Sequence, residues 1–376
     1  IDGFRLLWQT VASANKYGGK AMTYKEVTAI ETENGTVVGV KIRDKWTGVE
    51  DKIACDFVIS AAGSFAGEVA HMAGLTVNVK PSKGTLIAFN HRICNRVVHR
   101  LHKSSDADIF VPHGSITILG TTSIDSAPDD TSTETAEVKA MLEIGKITFE
   151  EIYDYRILRV FAGTRPLYSA DPNAKGRSAS RGFVALDHAH DGIKHFMSVC
   201  GGKFTTYRLM AEKVCNIVCE QLGVNEKCHT AEENLVDDPS PELMSRAKAV
   251  FPSYGAELAS SRLGNEKLER VIKHIETDPE MKELVCECEN VTLAEIDEIA
   301  AEPTSHTVSD VRRRTRLGMG TCQGTFCAYR SVGAINKENM PWAKDSVDLL
   351  KDFLETRWKG IRPVLWGNML RDIELT

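Results

Sequence analysis

The sequence predicts an α/β fold followed by a small helical unit organised around cysteines. Short alternating segments joined by turns at Asn34-Gly35 and Thr47-Gly48 are typical of a β-meander. The next segment, 57–62, is nearly all apolar, as in a parallel strand that is buried on both faces. Much later, "VCECEN" and "GTCQGTFCAY" place four cysteines in two short-spaced pairs. These three features carry the prediction.

The composition is that of an ordinary globular protein, and it argues against two classes of function. No uncharged apolar run approaches the ~20 residues of a membrane span. A net charge of -6 disfavours nucleic acid as the main partner. Ten cysteines without a signal peptide indicate a reducing, cytoplasmic compartment. Because the chain starts with Ile1 and opens directly on a helix, we expect a piece of a longer protein.

Patterning divides the chain into four segments. Residues 1–225 begin with an amphipathic helix, continue through the meander and the buried strand, and end in a mixed-sheet domain and a second amphipathic helix. Residues 226–280 are more polar and predict a helical connector. Residues 281–335 form the predicted cysteine domain, and residues 336–376 a C-terminal tail.

The four paired cysteines are candidate ligands of one metal centre. Cys286 and Cys288 form a C-x-C pair, and Cys322 and Cys327 a C-x4-C pair. Each pair acts as a chelate, so loop-closure entropy is lost once per pair. A capping box at Thr292 predicts a helix directly after the first pair. A second helix is predicted to begin near Cys322, where free amides would favour a thiolate.

Several occupants of this cysteine set remain open. An iron–sulfur cluster is favoured, because zinc pairs are usually C-x2-4-C and the C-x-C pair is tighter than that. Structural thiols and a disulfide also stay open. The run 312–316, "RRRTR", is either a solvated basic helix face or a set of cations that offset a cluster's charge or meet an acidic redox partner.

The cysteine arrangement resembles the [2Fe–2S] domain of the bacterioferritin-associated-ferredoxin (BFD) type, whose first pair is also C-x-C. The commoner second pair of that domain is C-x2-C. The C-x4-C spacing with Gly324 between is a departure that some flavoprotein dehydrogenases and oxidases with this domain share.

A strand, two glycines, a lysine and a helix follow one another in "CGGKFTTYRLMAE". Glycines allow close approach of the backbone to a planar ligand, and the helix N-terminus, predicted to be capped by Thr205, offers positive potential. Lys203 would add a cation beside a reduced flavin. The alternative is an ordinary strand-to-helix turn.

The motifs "VISAAG", "LGTTS", "GTRPL" and "GGKFTTYRLMAE", in this order, resemble the FAD-dependent glycerol-3-phosphate dehydrogenase family. The cysteine domain and the closing "FLETRWKGIRPVLWGNMLRD" narrow the resemblance to the large, flavin-bearing subunits of the anaerobic enzymes. The implied fold is the C-terminal part of a two-dinucleotide-binding flavoprotein, followed by a helical cysteine-ligated metal domain.

The resemblance also implies roles for individual residues. Arg165 and Arg181 would hold the substrate phosphate, and Lys203 would lie beside flavin and substrate as the catalytic candidate. The implied FAD-binding positions are Val27 at the adenine, Ala61, Ala62 and Gly63 at the diphosphate and ribose, and Gly201, Gly202, Lys203 and Thr205 near the isoalloxazine. The family's G-x-G-x-x-G motif is absent from the sequence, so we expect this chain alone to hold FAD weakly or not at all, which would leave the isolated piece inactive.

The implied reaction is oxidation of sn-glycerol 3-phosphate to dihydroxyacetone phosphate, with electrons leaving through the cluster to partner subunits and quinone. One such partner would be a membrane-anchoring iron–sulfur subunit, which would place this chain peripherally at the inner face of the cell membrane. The general base is unassigned. Two other interpretations stay open: a flavin oxidase of amino acids or opines, and a zinc-stabilised interaction module without enzymatic activity.

Overall fold

A computed structural model describes residues 2–101, 105–169, 182–252, 254–335, 345–367 and 369–371. Eleven helices are seen in these ranges: α1 (Gly3–Lys16), α2 (Ala66–His71), α3 (Thr135–Gly145), α4 (Tyr207–Gln221), α5 (Pro241–Val250), α6 (Gly255–Leu263), α7 (Asn265–Thr277), α8 (Leu293–Ala300), α9 (Val308–Thr315), α10 (Cys327–Ile335) and α11 (Ser346–Ile361). None of them has the length and apolar character needed to cross a membrane.

Fourteen strands occur in the same ranges: β1 (Lys25–Glu33), β2 (Thr36–Asp44), β3 (Glu50–Ala54), β4 (Val58–Ser60), β5 (Val79–Phe89), β6 (Val98–His99), β7 (Ile109–His113), β8 (Ile116–Gly120), β9 (Ile124–Asp125), β10 (Ile157–Tyr168), β11 (Phe183–Asp187), β12 (Phe196–Gly201), β13 (Leu284–Cys286) and β14 (Val291–Thr292).

The predicted β-meander is confirmed as an antiparallel sheet of order β1-β2-β3. Asn34 (φ 49°) and Gly35 (φ 74°) make its first turn, as an Asn-Gly pair favours. The first helix is confirmed as well, because the Asp2 carboxylate accepts hydrogen bonds from the amides of Phe4 and Arg5 at 3.1 Å each.

The large sheet of the first domain has the order β10-β5-β8-β7-β6, with β9 also paired to β5. Every pairing in it is antiparallel, so the mixed sheet predicted for this domain is not this one. β7 and β8 are joined by a tight turn at Gly114, which only antiparallel neighbours allow, whereas β5 and β10 pair across a long stretch of chain. Helix α3 covers this sheet and buries Val138, Met141 and Leu142 against it.

The mixed sheet is instead a small one of order β11-β12-β4. β11 and β12 form an antiparallel hairpin, while β12 runs parallel to β4 with Phe196 opposite Val58. The apolar segment after the meander is therefore a parallel strand, as its composition predicted. Its outer residue Ile59 is 42% exposed, however, so this edge of the sheet is open in the described part of the chain.

The C-terminal half is helical and has one core of its own. Buried side chains of the segment predicted as a connector, such as Leu268 and Ile272, share this core with Ile296, Val311 and Phe353. The predicted capping box is confirmed, because the Thr292 hydroxyl accepts from the Glu295 amide at 3.3 Å and the Glu295 carboxylate accepts from the Thr292 amide at 2.9 Å.

Helix α11 contacts both halves of the molecule. Phe353, 1% exposed, lies in the helical core. Further along the helix, Gly360 lies against the large sheet, where a Cβ would come within 3.1 Å of both the Val160 carbonyl oxygen and the Arg159 guanidinium. The segment predicted as a tail is thus a packed helix over its described residues.

We expect Phe353→Ala to destabilise the helical half by about 3–5 kcal/mol, the usual cost of removing a fully buried phenylalanine. Amide hydrogen exchange of α9 and α10 would report this loss without requiring a single unfolding transition. The matched control is Phe326→Ala, because Phe326 is 62% exposed and its removal leaves no cavity. Equal protection in wild type and the Phe353 variant would contradict the packing role.

Candidate functional site

The first cysteine pair lies in a short hairpin. β13 and β14 pair antiparallel, with Cys286 opposite Val291, and Cys288 lies in the turn between them. Asn290 takes a left-handed conformation (φ 50°) that closes this turn. Cys286 is buried and Cys288 is exposed, so the hairpin presents one inner and one outer sulfur.

The second pair lies in a loop and at the start of the helix that follows. Helix α10 begins at Cys327, so the prediction of a helix from Cys322 was wrong. Gln323 (φ 51°) and Gly324 (φ 85°) adopt left-handed conformations that no right-handed helix accommodates. The Gln323 side chain also donates to the carbonyl oxygens of Met319 and Gly320 at 3.0 and 2.9 Å, which fixes the loop.

The two cysteine segments lie against each other. A Cβ built on Gly320 would lie 2.4 Å from the Cβ of Cys288, so only glycine allows this approach. The side chain of Cys327 lies close enough to those of Cys286 and Cys322 to shift their pKa values, and Cys322 and Cys288 are neighbours in the same way. The structure therefore brings the four predicted cysteines together as neighbouring pairs.

Backbone amides lie beside three of these sulfurs and lower their pKa values. These are the amides of Gly318 and Glu289 at Cys286, of Gly324 and Phe326 at Cys322, and of Cys322 at Cys288. The pKa values of Cys286 and Cys322 are lowered, above all because the Cys327 thiol hydrogen-bonds to each. Burial raises the pKa of Cys288, and the two thiol neighbours raise that of Cys327. Such amide donors favour anionic sulfur ligands.

The surroundings of these cysteines suit an iron–sulfur cluster. A two-iron cluster spreads its cysteine ligands over two metals, whereas a zinc ion gathers them around one point. Among the described residues, no three or more His, Cys, Asp or Glu side chains form a group that could hold one metal ion. The four cysteines in neighbouring pairs, with amides beside them, fit a [2Fe–2S] cluster.

Two arginines hold the first cysteine hairpin in place. Arg316 Nε donates to Glu289 at 2.8 Å and Nη1 to Asp2 at 3.1 Å, so it links the hairpin to the start of α1. Burial alone would raise the pKa of Asp2. The hydrogen bond from the Arg5 amide and the charge of Arg316 outweigh burial, so the pKa of Asp2 is lowered. Arg262 forms an ion pair with the fully buried Glu295 at 3.2 Å.

The other arginines of the run 312–316 differ in exposure. Arg313 is exposed, whereas Arg312 and Arg314 are only 5% and 6% exposed. Arg314 pairs with Glu302 at 2.6 Å and lies 3.5 Å over the Trp8 ring. The interpretation of this run as a solvated helix face is therefore wrong for two of its members. A run of like charges in a sequence does not indicate which of its side chains are buried.

The predicted flavin-binding turns lie at one edge of the small sheet. β4 and β12 are parallel, so their carboxyl ends meet there; Ala61, Ala62 and Gly63 follow the first, and Gly201 and Gly202 end the second. Gly63, Gly201 and Gly202 have φ values of 58°, 75° and 78°, which exclude bulky side chains from this edge. Phe65 and Phe204, which follow the turns, are 40% and 51% exposed. This open, glycine-lined edge fits a planar cofactor.

The turn after β12 differs in detail from the prediction. The Thr206 hydroxyl, not that of Thr205, closes the turn: it accepts from the Lys203 amide at 3.2 Å and donates to the Lys203 carbonyl oxygen at 2.9 Å. The prediction that Thr205 caps the helix was therefore wrong. A short 3-10 turn (Phe204–Thr206) precedes α4 and shifts the cap by one residue. Lys203 is exposed at this edge, and Val27 lies apart from it, in β1 of the meander.

Arg165 lies in a cradle that the sequence did not reveal. Its guanidinium donates to the Thr121 hydroxyl at 2.8 Å and to the Ser82 carbonyl oxygen at 3.4 Å. It also covers Gly84, where a Cβ would lie 2.1 Å from Arg165 Nη2. One residue earlier, the Thr164 carbonyl oxygen accepts from Ser64 Oγ at 3.2 Å, directly after the Gly63 turn. Only strand pairing brings these partners together.

The second arginine predicted to bind phosphate, Arg181, lies outside the described residues.

Comparison with known proteins agrees with this geometry. Residues 1–215 match the model of the FAD dependent oxidoreductase family, and residues 284–335 that of the BFD-like [2Fe-2S] binding domain. The A subunit of the anaerobic glycerol-3-phosphate dehydrogenase of Escherichia coli K12 is 37% identical over 100% of this chain and 70% of its own length. The chain belongs to this family of A subunits.

Other A subunits show a similar degree of identity to this chain. The corresponding A subunit of Haemophilus influenzae is 36% identical over the whole chain and 67% of its own length, and the A1 subunit of Haloferax volcanii is 36% identical over 65% of its length. Among solved structures, a Bacillus halodurans glycerol-3-phosphate dehydrogenase complexed with FAD superimposes with a TM-score of 0.70, 20% identity, and coverage of 96% of this chain and 74% of that one. This likeness shows the fold, an FAD-dependent oxidoreductase domain followed by helices.

We expect Cys286→Ser to abolish most iron and acid-labile sulfide in anaerobically purified protein, because it removes a buried ligand from the four cysteines. Cys215→Ser is the matched control, since Cys215 is an exposed thiol of α4. Iron, sulfide and zinc analysis with the visible spectrum is the measurement. Full iron content in the Cys286 variant, or stoichiometric zinc in the wild type, would refute the assignment.

Proposed function

We propose that this chain carries the flavin and cluster sites of an enzyme that oxidises sn-glycerol 3-phosphate to dihydroxyacetone phosphate. The observation that carries the proposal is the similarity along the whole chain to A subunits of anaerobic glycerol-3-phosphate dehydrogenases, together with four cysteines in contact next to a flavoprotein fold. Electrons from the substrate would leave through the cluster, because a [2Fe–2S] centre is an electron carrier.

Arg165 is our candidate for the substrate phosphate. A guanidinium is permanently charged and offers forked donors that suit a dianionic phosphate. Its bonds to Thr121 and to the Ser82 carbonyl oxygen hold it against Gly84, so little rotamer entropy remains to be lost on binding. Arg181 would add a second donor to the same phosphate.

The bond from Ser64 to the Thr164 carbonyl oxygen supports a substrate site between Arg165 and the glycine-lined edge. FAD bound at that edge would supply the hydride acceptor for carbon 2 of the substrate. Lys203 would add positive charge beside the developing negative charge of the reduced cofactor. The residue that takes the hydroxyl proton stays unassigned.

Partner subunits would receive the electrons. The relatives are named as A subunits, which implies that other subunits accompany them. We propose that one of these carries iron–sulfur centres and attaches the assembly to the inner face of the membrane. The quinone would then be reached only through these partners.

We expect Arg165→Ala to lower kcat/KM for glycerol 3-phosphate by roughly ten- to a hundredfold, since hydrogen bonds to charged groups contribute about 1.5–3 kcal/mol. Because this chain alone is expected to hold FAD weakly, the assay uses an excess of added FAD, with an artificial electron acceptor. Arg181→Ala should act in the same direction. The discrimination between glycerol 3-phosphate and glycerol should fall in parallel, because the phosphate contact is what is lost.

Arg43→Ala is the control: Arg43 forms an exposed ion pair with Glu26 in the meander, so its loss should leave kcat/KM unchanged. Wild-type kinetics in the Arg165 variant would overturn the phosphate role. Turnover of amino acids or imino-type substrates in place of glycerol 3-phosphate would favour the oxidase interpretation.

A further inference from the structure

In the described part of the chain, one buried and one half-buried arginine have no acidic partner. Arg312 of α9 is 5% exposed, and Arg159 of β10 is half-buried at the contact with α11. Within the same residues, neither forms an ion pair, and the Nε of each lacks a hydrogen-bond acceptor. An unpaired buried cation is costly, so something anionic is expected nearby.

The surroundings of Arg312 point to the cysteine cluster. Its guanidinium carbon lies 5.5 Å from the centroid of the Phe353 ring. The same ring packs on the second cysteine loop, where a Cβ on Gly324 would come within 2.2 Å of Phe353 Cζ. Cys327 is close enough to interact electrostatically with Arg312. The Phe353 ring is thus a neighbour of both the cysteine loop and the cation.

Arg159 reaches the same region from the other half of the molecule. Its guanidinium lies against Gly360 of α11, where a Cβ would come within 3.1 Å of Nη2. Burial and the charges of Arg159 and Arg313 lower the pKa of Arg312 to about 9, while Cys327 opposes this shift. Burial and Arg313 also lower the pKa of Arg159. Arg312, whose value still lies well above neutrality, keeps its positive charge at pH 7.

We propose that Arg312, backed by Arg159, is an electrostatic positioning residue that raises the one-electron reduction potential of the cluster held by Cys286, Cys288, Cys322 and Cys327. One-electron reduction of a bound cluster would add one negative charge to it. A fixed cation beside a low-polarity ring would stabilise that charge without a proton or a solvent rearrangement. The inference rests on the proposed function only in that the cluster is present.

The test is a dye-mediated redox titration of the full chain with its cluster, followed by the reduced-cluster electron paramagnetic resonance signal in the absence of substrate. We expect Arg312→Met to lower the ratio of reduced to oxidised cluster at a fixed potential about tenfold, equivalent to a shift of about 59 mV for one electron. Arg312→Lys, which keeps the charge, should restore most of the wild-type value. Arg159→Met should shift the potential in the same direction by less.

Two controls separate buried from exposed charge. Arg313→Met removes the adjacent, exposed cation, which pairs with Asp310 at 3.6 Å. Arg330→Met removes an exposed cation that also lies near Cys327 and Cys286. Both should shift the potential little, because water screens exposed charges.

Iron and sulfide content of each variant decides the remaining outcomes. A wild-type potential in Arg312→Met with an intact cluster would overturn the proposal. Loss of the cluster in Arg312→Met but not in Arg312→Lys would support it, since charge is then what the cluster requires. Loss in both would show a packing role and overturn it. Because no substrate is used, none of these results depends on glycerol 3-phosphate oxidation.

Discussion

The contact between Phe353 and Gly324 is the constraint on which the cysteine site depends. Because residue 324 has no Cβ and a φ of 85°, the ring of Phe353 can lie directly on the loop between Cys322 and Cys327. Any side chain at this position would collide with the ring or require a strained backbone. The loop therefore packs against α11, although α11 follows it in the sequence, and this packing adds to the hydrogen bonds of the Gln323 side chain.

Helix α11 in turn rests on strand β10, and β10 connects the two candidate sites. Arg159 lies near the helix and Arg165 lies six residues further along, an even spacing that places both on one face of a regular strand about 20 Å apart. β10 pairs with β5 along its length, from Ile157 opposite Phe89 to Tyr168 opposite Val79. A strand fixed in this way holds the phosphate candidate and the cluster support in a constant relation.

Sequence reasoning succeeded where local chemistry determines structure. The Asp2 cap, the Asn34-Gly35 turn and the capping box of Thr292 depend on residues a few positions apart, and all appear as predicted. It failed where long-range pairing decides. The antiparallel large sheet, the cradle of Arg165 and the burial of Arg312 each depend on residues more than 35 positions away. The predicted start of α10 was wrong for a third reason: Gln323 has a left-handed backbone, a conformation that glutamine does not favour.

The contrast between Arg312 and Arg314 shows what an unpaired cation contributes. Arg314 is equally buried, but Glu302, Ser305 and the Thr304 carbonyl oxygen accept from its two terminal nitrogens, and Glu302 neutralises its charge. Had Arg312 an equivalent acid, its field at the cysteine loop would be cancelled by the neighbouring negative charge. Leaving it unpaired costs several kcal/mol in the metal-free chain, a cost that an anionic cluster offsets on binding. Arg312 therefore couples the stability of the helical half to the presence of the cluster. It also couples the reduction potential of the cluster to the packing of α11.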